Sequence, residues 1–133
     1  MIFNSSNYSE FTPEEKSVGL RASLTILKKW GCSKKQIQSI LSIQHFNANS
    51  SIQDKSNQCS LTDEQLKRIS FVLSIHATLR TVFTNPKNIY GFMSMDNHNG
   101  YFLGASPLEV ICRGDLLSLS EVCYQISIIN QDY

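Results

Sequence analysis

Apolar and polar residues alternate with a helical period in the first part of the chain. Thr12 and Pro13 supply an N-cap and a first helical residue, and two glutamates follow at the positive end of the helix dipole. Apolar residues then recur along one side as far as a glycine suited to a helix C-terminus, which predicts a helix over residues 13–30. Ser33 is the next N-cap and predicts a second, short helix over residues 34–41.

Polar sequence surrounds these two helices. Residues 1–11 are rich in Asn and Ser, which compete with the backbone for hydrogen bonds, so they predict a flexible tail. A short third helix is predicted over residues 44–51, although its Asn and Ser residues have low helix propensity. Residues 50–59 have the composition of a linker.

The second half of the chain begins with the longest predicted helix. Thr62 and Gln65 form a capping-box pattern at its start, and Asn85-Pro86 predicts its end, because proline disfavours the helical conformation in the residue before it. Its apolar stripe comprises Leu66, Ile69, Val72, Leu73, His76, Leu79, Val82 and Phe83. Further helices are predicted over residues 87–95, 107–112 and 116–129.

These elements predict an all-α protein with two parts. An N-terminal helix-turn-helix-like bundle is expected over residues 12–55, and a small helical domain over residues 60–133. Residues 1–59 carry seven Lys and Arg and four Asp and Glu, whereas residues 60–133 carry five and seven. The opposite net charges, +3 and −2, indicate that the halves face different partners.

The sequence shows no catalytic or metal-binding pattern. The four cysteines stand apart, without CxxC pairs, and indicate reduced, partly buried thiols. Asp96 and His98 supply at most two metal ligands, where a site needs three or four. His76 lies on an apolar stripe, where an imidazole hydrogen-bonded to a backbone carbonyl is the common arrangement. We therefore expect a protein that is not an enzyme and has no catalytic residues, bound metal or cofactor.

The three N-terminal helices have the lengths of a helix-turn-helix unit, with plain three-helix packing as the alternative. Asparagine can bind adenine with two hydrogen bonds, and lysine can neutralise phosphate, which makes DNA binding a hypothesis for this half. The presumed recognition segment has no Arg or Lys, however, and this argues against strong DNA binding. The candidate DNA-binding residues are Lys34, Lys35, His45, Asn47, Asn49 and Ser50.

A motif near the C-terminus resembles a known family. It reads Gly-Ala-Ser-Pro-Leu-Glu over residues 104–109, follows Asn99 and an aromatic residue, and precedes Gly114. With the helix that begins at Thr62, it resembles the toxin-binding domain of the Xre/MbcA/ParS antitoxin family over residues 60–124. Phe92 stands where that family usually has a tryptophan. The N-terminal half resembles the Xre-like domain that precedes it, with Gln38 and Ser42 in place of a small alanine and a turn glycine.

The resemblance implies an antitoxin of a type II toxin–antitoxin system. Such a protein would neutralise a RES-domain toxin, an enzyme that degrades NAD, by covering its active site, and could repress its own operon as a homodimer. Exposed aromatic residues and arginine are enriched at interface hot spots. The candidate toxin-binding residues are therefore Arg113, Asp115, Glu121, Tyr124 and Tyr133.

Two other classes of function stay open at this point. One is a stand-alone helix-turn-helix DNA-binding regulator, and the other is a small hydrolase that uses a cysteine or histidine, for which no supporting spacing exists. The chain begins MIFNSSNYSEF, without the basic start and apolar stretch of a signal peptide, so a cytoplasmic location is expected. Its most apolar run is too short to cross a membrane.

Overall fold

The protein is all-α, as its sequence predicts. The computed structural model describes residues 11–44 and 61–132, with side chains as far as residue 129. The helices in this part of the chain are α1 (Pro13–Lys29), α2 (Lys34–Leu41), α3 (Asp63–Val82), α4 (Pro86–Gly91), α5 (Pro107–Ile111) and α6 (Leu116–Asp132). A 3-10 turn, Phe92–Ser94, follows α4 directly, so the predicted helix over residues 87–95 is shorter than expected.

Side-chain caps fix the starts of four helices. Thr12, Ser33, Thr62 and Ser106 each accept a hydrogen bond from the backbone N–H three residues on, and the Glu or Gln there accepts one from the cap's own N–H. Each reciprocal pair satisfies two backbone donors that a helix start leaves without partners. These local pairings explain why the predicted starts of the helices agree with the structure.

Helix α3 is the central element of the fold. It packs most extensively against α1 on one side and α6 on another, and α2 and α4 also contact it. Buried apolar residues from both halves of the chain form one cluster, which includes Leu27, Ile40, Leu66 and Val122. Phe11, the last residue of the predicted tail, also packs against this cluster. The predicted domain boundary, between residues 55 and 60, lies outside the described residues.

Arg68 joins the two halves through backbone carbonyls. Its side chain lies on α3 and is buried, and its Nη1 donates to the carbonyls of Ile40 at 3.1 Å and Gly114 at 2.8 Å, with a longer contact to Ser39 at 3.4 Å. Its Nε lies 3.5 Å from a carboxylate oxygen of Glu64, an ion pair without hydrogen-bond geometry. One guanidinium group therefore holds the end of α2 and the turn before α6 against the central helix.

Two turns next to the Arg68 contacts each contain a residue in the left-handed backbone conformation. Ser42 ends α2 with φ 56°, where the antitoxin family resemblance implies a glycine, and Gly114 has φ 84°. The Gln65 side chain donates to the Ser42 carbonyl at 2.9 Å, which helps to hold a conformation that costs a serine more than a glycine. None of the described helices has the length and apolar character that crossing a bilayer demands.

Candidate functional site

The Gly-Ala-Ser-Pro-Leu-Glu motif folds into a closed loop and a short helix. Asn97 and Ala105 pair across the loop, with Asn97 N–H donating to the Ala105 carbonyl at 3.1 Å and Gly104 N–H donating to the Asn97 carbonyl at 2.8 Å. The Asn99 side chain accepts from the N–H groups of two following residues, each at 3.1 Å. These bonds close the loop, and the reciprocal Ser106–Glu109 cap starts the short helix that follows it.

Leu103 projects from this loop into solvent. It has φ 53°, a conformation that a branched side chain rarely adopts, and 82% of its surface is exposed. Neither feature stabilises the isolated protein, because the backbone is strained and the apolar side chain gains no burial. Strained backbone positions on exposed loops cluster at functional sites, so Leu103 is a candidate contact residue.

The outer face of α6 carries further exposed apolar residues. Leu117 and Tyr124 are 69% and 59% exposed, respectively, and Glu121 lies between them at helical spacing. The opposite face of α6 packs into the core through Leu119 and Val122. The helix therefore has an inner face that folds the protein and an outer face that no described residue covers.

Tyr101 lies among the charged residues at the start of α6. Burial raises the pKa of Tyr101, nearby Glu121 and Asp115 raise it further, and Arg113 lowers it. Three of the predicted toxin-binding residues thus lie near Tyr101, an aromatic residue just before the Gly-Ala-Ser-Pro-Leu-Glu motif that was not among the candidates. We call Tyr101, Leu103, Arg113, Leu117, Glu121 and Tyr124 the C-terminal surface.

Asp115, a candidate for toxin contact, has a structural role in the protein itself. Its Oδ2 accepts a hydrogen bond from Ser118 N–H at 2.9 Å and so caps the start of α6. The same backbone hydrogen bond is the largest cause that holds the pKa of Asp115 below its usual value. Tyr133, the remaining candidate for toxin contact, lies outside the described residues.

The candidate DNA-binding residues are described only in part. Lys34 and Lys35 are the first two residues of α2, and both are exposed. His45, Asn47, Asn49 and Ser50, and the third helix predicted around them, lie outside the described residues; Gln44 itself lies in a bend. The helix-turn-helix unit and its contacts with DNA therefore stay predictions.

The structure corrects the interpretation of His76. Its Nε2 lies 3.2 Å from the hydroxyl oxygen of Tyr90, so its partner is a side chain and not a backbone carbonyl. The imidazole is partly exposed, and burial is the largest cause that lowers its pKa. Within the described residues, no three His, Cys, Asp or Glu side chains are placed to hold a metal ion together.

Two cysteines that are far apart in sequence meet in the fold. Cys32, after α1, and Cys112, after α5, share a side-chain hydrogen bond, which lowers the pKa of Cys112 and raises that of Cys32. Burial raises the pKa of Cys123 to about 11. The Cys112 thiol therefore loses its proton most readily of these three.

This order predicts selective alkylation. With iodoacetamide near neutral pH, we expect Cys112 to react at least about tenfold faster than Cys123, because the thiolate is the reactive form. Peptide mapping by mass spectrometry measures each rate. Cys32→Ala removes the hydrogen-bond donor and should slow the reaction of Cys112. Equal rates at Cys112 and Cys123, or a Cys112 rate unchanged by Cys32→Ala, would contradict the assignment.

Comparisons of the chain with protein-family models, with curated proteins and with solved structures find no match. Fold and site together define an all-α protein with a rigid loop and an exposed, partly apolar outer face on its last helix.

Proposed function

We propose that the protein is a non-catalytic antitoxin that binds and neutralises a RES-domain, NAD-degrading toxin through its C-terminal surface. The observation that carries the proposal is the exposure of Leu103, Leu117 and Tyr124 on a loop and a helix that are themselves firmly held. Tyr101, Tyr124 and Arg113 of this surface are of the residue types that are enriched at interface hot spots. The motif that resembles the antitoxin family builds the loop and leads into this helix.

Preorganisation supports the same proposal. The loop is closed by backbone hydrogen bonds, and α6 is capped by Asp115 and packed on α3, so little conformational entropy is lost when a partner binds. In this proposal the surface covers the entrance to the toxin's active site, and NAD is a substrate of the partner alone. Homodimer formation and repression of the operon are further parts of the proposal that rest on the resemblance.

Substitution of outward-facing residues tests the proposal better than truncation does. Removal of α6 would also remove Leu119, Val122 and Ile126 from the core and unfold the protein. The variants Leu117→Asp and Tyr124→Asp instead place a charge on the exposed face. Each should weaken binding to a cognate RES-domain toxin by about 2 kcal/mol or more, roughly thirtyfold.

The measurements are growth rescue on co-expression, and the affinity of the purified pair. Val18→Asp is the matched control, because Val18 is an exposed apolar residue of α1, 47% exposed, outside the C-terminal surface. Circular dichroism should give the same melting temperature for all three variants. The interface would be wrongly placed if both α6 variants bound the toxin with the affinity of the wild-type protein, or if Val18→Asp alone lost binding. A wild-type protein that shifts upstream DNA but binds no toxin would belong to the alternative class, a stand-alone DNA-binding regulator.

A further inference from the structure

A groove lies between α1 and α3, on a part of the molecule that the C-terminal surface does not include. Its volume is about 550 Å³, and Tyr90 of α4 also lines it. Ala22 and Ile26 of α1 and Leu73 and Ala77 of α3 give it an apolar lining. Small-molecule sites have volumes of roughly 300–1,000 Å³ and combine apolar walls with a few polar groups, so the groove is of the right size and kind.

Cations line this groove without acidic partners. Arg21 and Lys29 come from α1 and Arg80 from α3, and none of the described residues that line the groove is acidic. Within the described chain, no carboxylate lies within 4.0 Å of any of these three cations. A bound anion would pair with these cations, which have no carboxylate partner among the described residues.

A histidine and a tyrosine form a polar pair in the same groove. The rings of His76 and Tyr90 stack with their centroids 5.7 Å apart, and His76 Nε2 lies 3.2 Å from the Tyr90 hydroxyl oxygen. Lys29 Nζ lies 5.1 Å from the centre of the Tyr90 ring. Burial, followed by Arg80 and Lys29, lowers the pKa of His76 and so favours its neutral imidazole. The pair therefore places aromatic and polar side chains beside the three cations in the lining of the groove.

We propose that this groove binds a small aromatic anion. Arg21 and Arg80 pair with its charged group, and the apolar side chains between them cover its ring. An anion without an apolar group would leave the apolar lining in contact with water, and a neutral aromatic molecule would leave the cations unpaired. Recognition thus needs both parts of the ligand. The inference does not depend on the proposed antitoxin function, because the residues involved are different.

The probes that test this proposal are phenyl phosphate, inorganic phosphate and benzyl alcohol, each titrated into the full-length protein. Isothermal calorimetry and amide NMR shifts report the affinity and the location of binding. We expect phenyl phosphate to bind saturably, to shift resonances of α1 and α3, and to bind at least about tenfold more tightly than either of the other probes. Its affinity should fall as salt is added.

Charge-removing variants make the test specific. Arg21→Gln and Arg80→Gln should each weaken phenyl phosphate binding at least about fivefold. Both arginines are exposed, so the variants should fold normally. Lys67→Gln is the control, since Lys67 is an exposed cation of α3 outside the groove. The proposal is overturned by equal binding of phenyl phosphate and inorganic phosphate, by equal binding of phenyl phosphate and benzyl alcohol, by no saturable binding, or by equal effects of all three variants.

Discussion

Arg68→Met should lower the free energy of unfolding by about 3 kcal/mol, one of the two largest effects that we expect from a single substitution. The change preserves an unbranched chain on α3 but removes the donor to the carbonyls of Ile40 and Gly114. These carbonyls would lose a charged hydrogen-bond partner in a largely buried place, and buried polar groups without partners are costly. Arg68→Lys should lose less, because an ammonium group can still donate to one carbonyl at a time.

Urea denaturation measures this loss with two probes. Circular dichroism follows all helices, and the fluorescence of Trp30, the single tryptophan of the chain, follows the end of α1, where its side chain is 1% exposed. The control is Glu64→Gln, because the Glu64 side chain is 55% exposed and exposed ion pairs contribute about 1 kcal/mol or less. If Arg68→Met cost no more than Glu64→Gln, the role assigned to the buried guanidinium would be wrong.

Gly114→Ala should cost about 2–3 kcal/mol, for two reasons that can be separated. Gly114 has φ 84°, which strains any residue with a Cβ, and a Cβ there would lie 2.5 Å from Ser39 Oγ. The Ser39→Ala background removes the hydroxyl and should recover only the steric part of the loss. The backbone part, about 1–2 kcal/mol, should remain.

Gly91→Ala is the matched control for this substitution. Gly91 is helical and has nothing within 4 Å of the added methyl group, so this variant should be neutral or more stable by up to about 1 kcal/mol. Chemical denaturation of the wild type, Gly114→Ala, Ser39→Ala and the double variant gives a double-mutant cycle for Gly114 and Ser39. Equal losses in Gly114→Ala and Gly91→Ala would show that the turn tolerates a side chain.

The sequence alone predicted most of the helices, because their starts depend on neighbouring residues. Thr12, Ser33, Thr62 and Ser106 cap within three residues of their own position, so the pattern that predicts each cap is local. The extent of the helix after Asn85 was overestimated, since nothing in the local pattern indicates that it tightens into a 3-10 turn at Phe92.

Contacts between distant residues were beyond the sequence pattern. Periodicity assigned α3 a single apolar stripe, but the helix packs against α1 and α6 on different sides and also buries Arg68, Ser70 and Ile75. Charged residues are expected at the surface, so Arg68 gave no local sign of its three acceptors. The contact between Cys32 and Cys112 depends on how the turn after α1 and the end of α5 are brought together, which spacing in the chain does not determine.

The candidate site shows the same division. Tyr124, Glu121 and Arg113 were selected because their residue types are common at interfaces, and the structure leaves Tyr124 and Arg113 exposed and Glu121 partly so. Leu103 and Leu117 were missed, because an apolar residue in a sequence is normally expected to be buried. Their exposure depends on the positive φ of Leu103 and on which face of α6 meets α3.

The shared core restricts how this protein can be recombined. Leu73 of α3 faces α1 across the groove, while Leu119 and Val122 of α6 belong to the same cluster as Leu27 of α1. A chimaera that grafted the last 70 or so residues onto an unrelated N-terminal domain would expose one flank of α3 to water and deprive Arg68 of its Ile40 acceptor. The C-terminal half is therefore transferable to another protein only together with the helices that cover it, or with that flank redesigned as a polar surface.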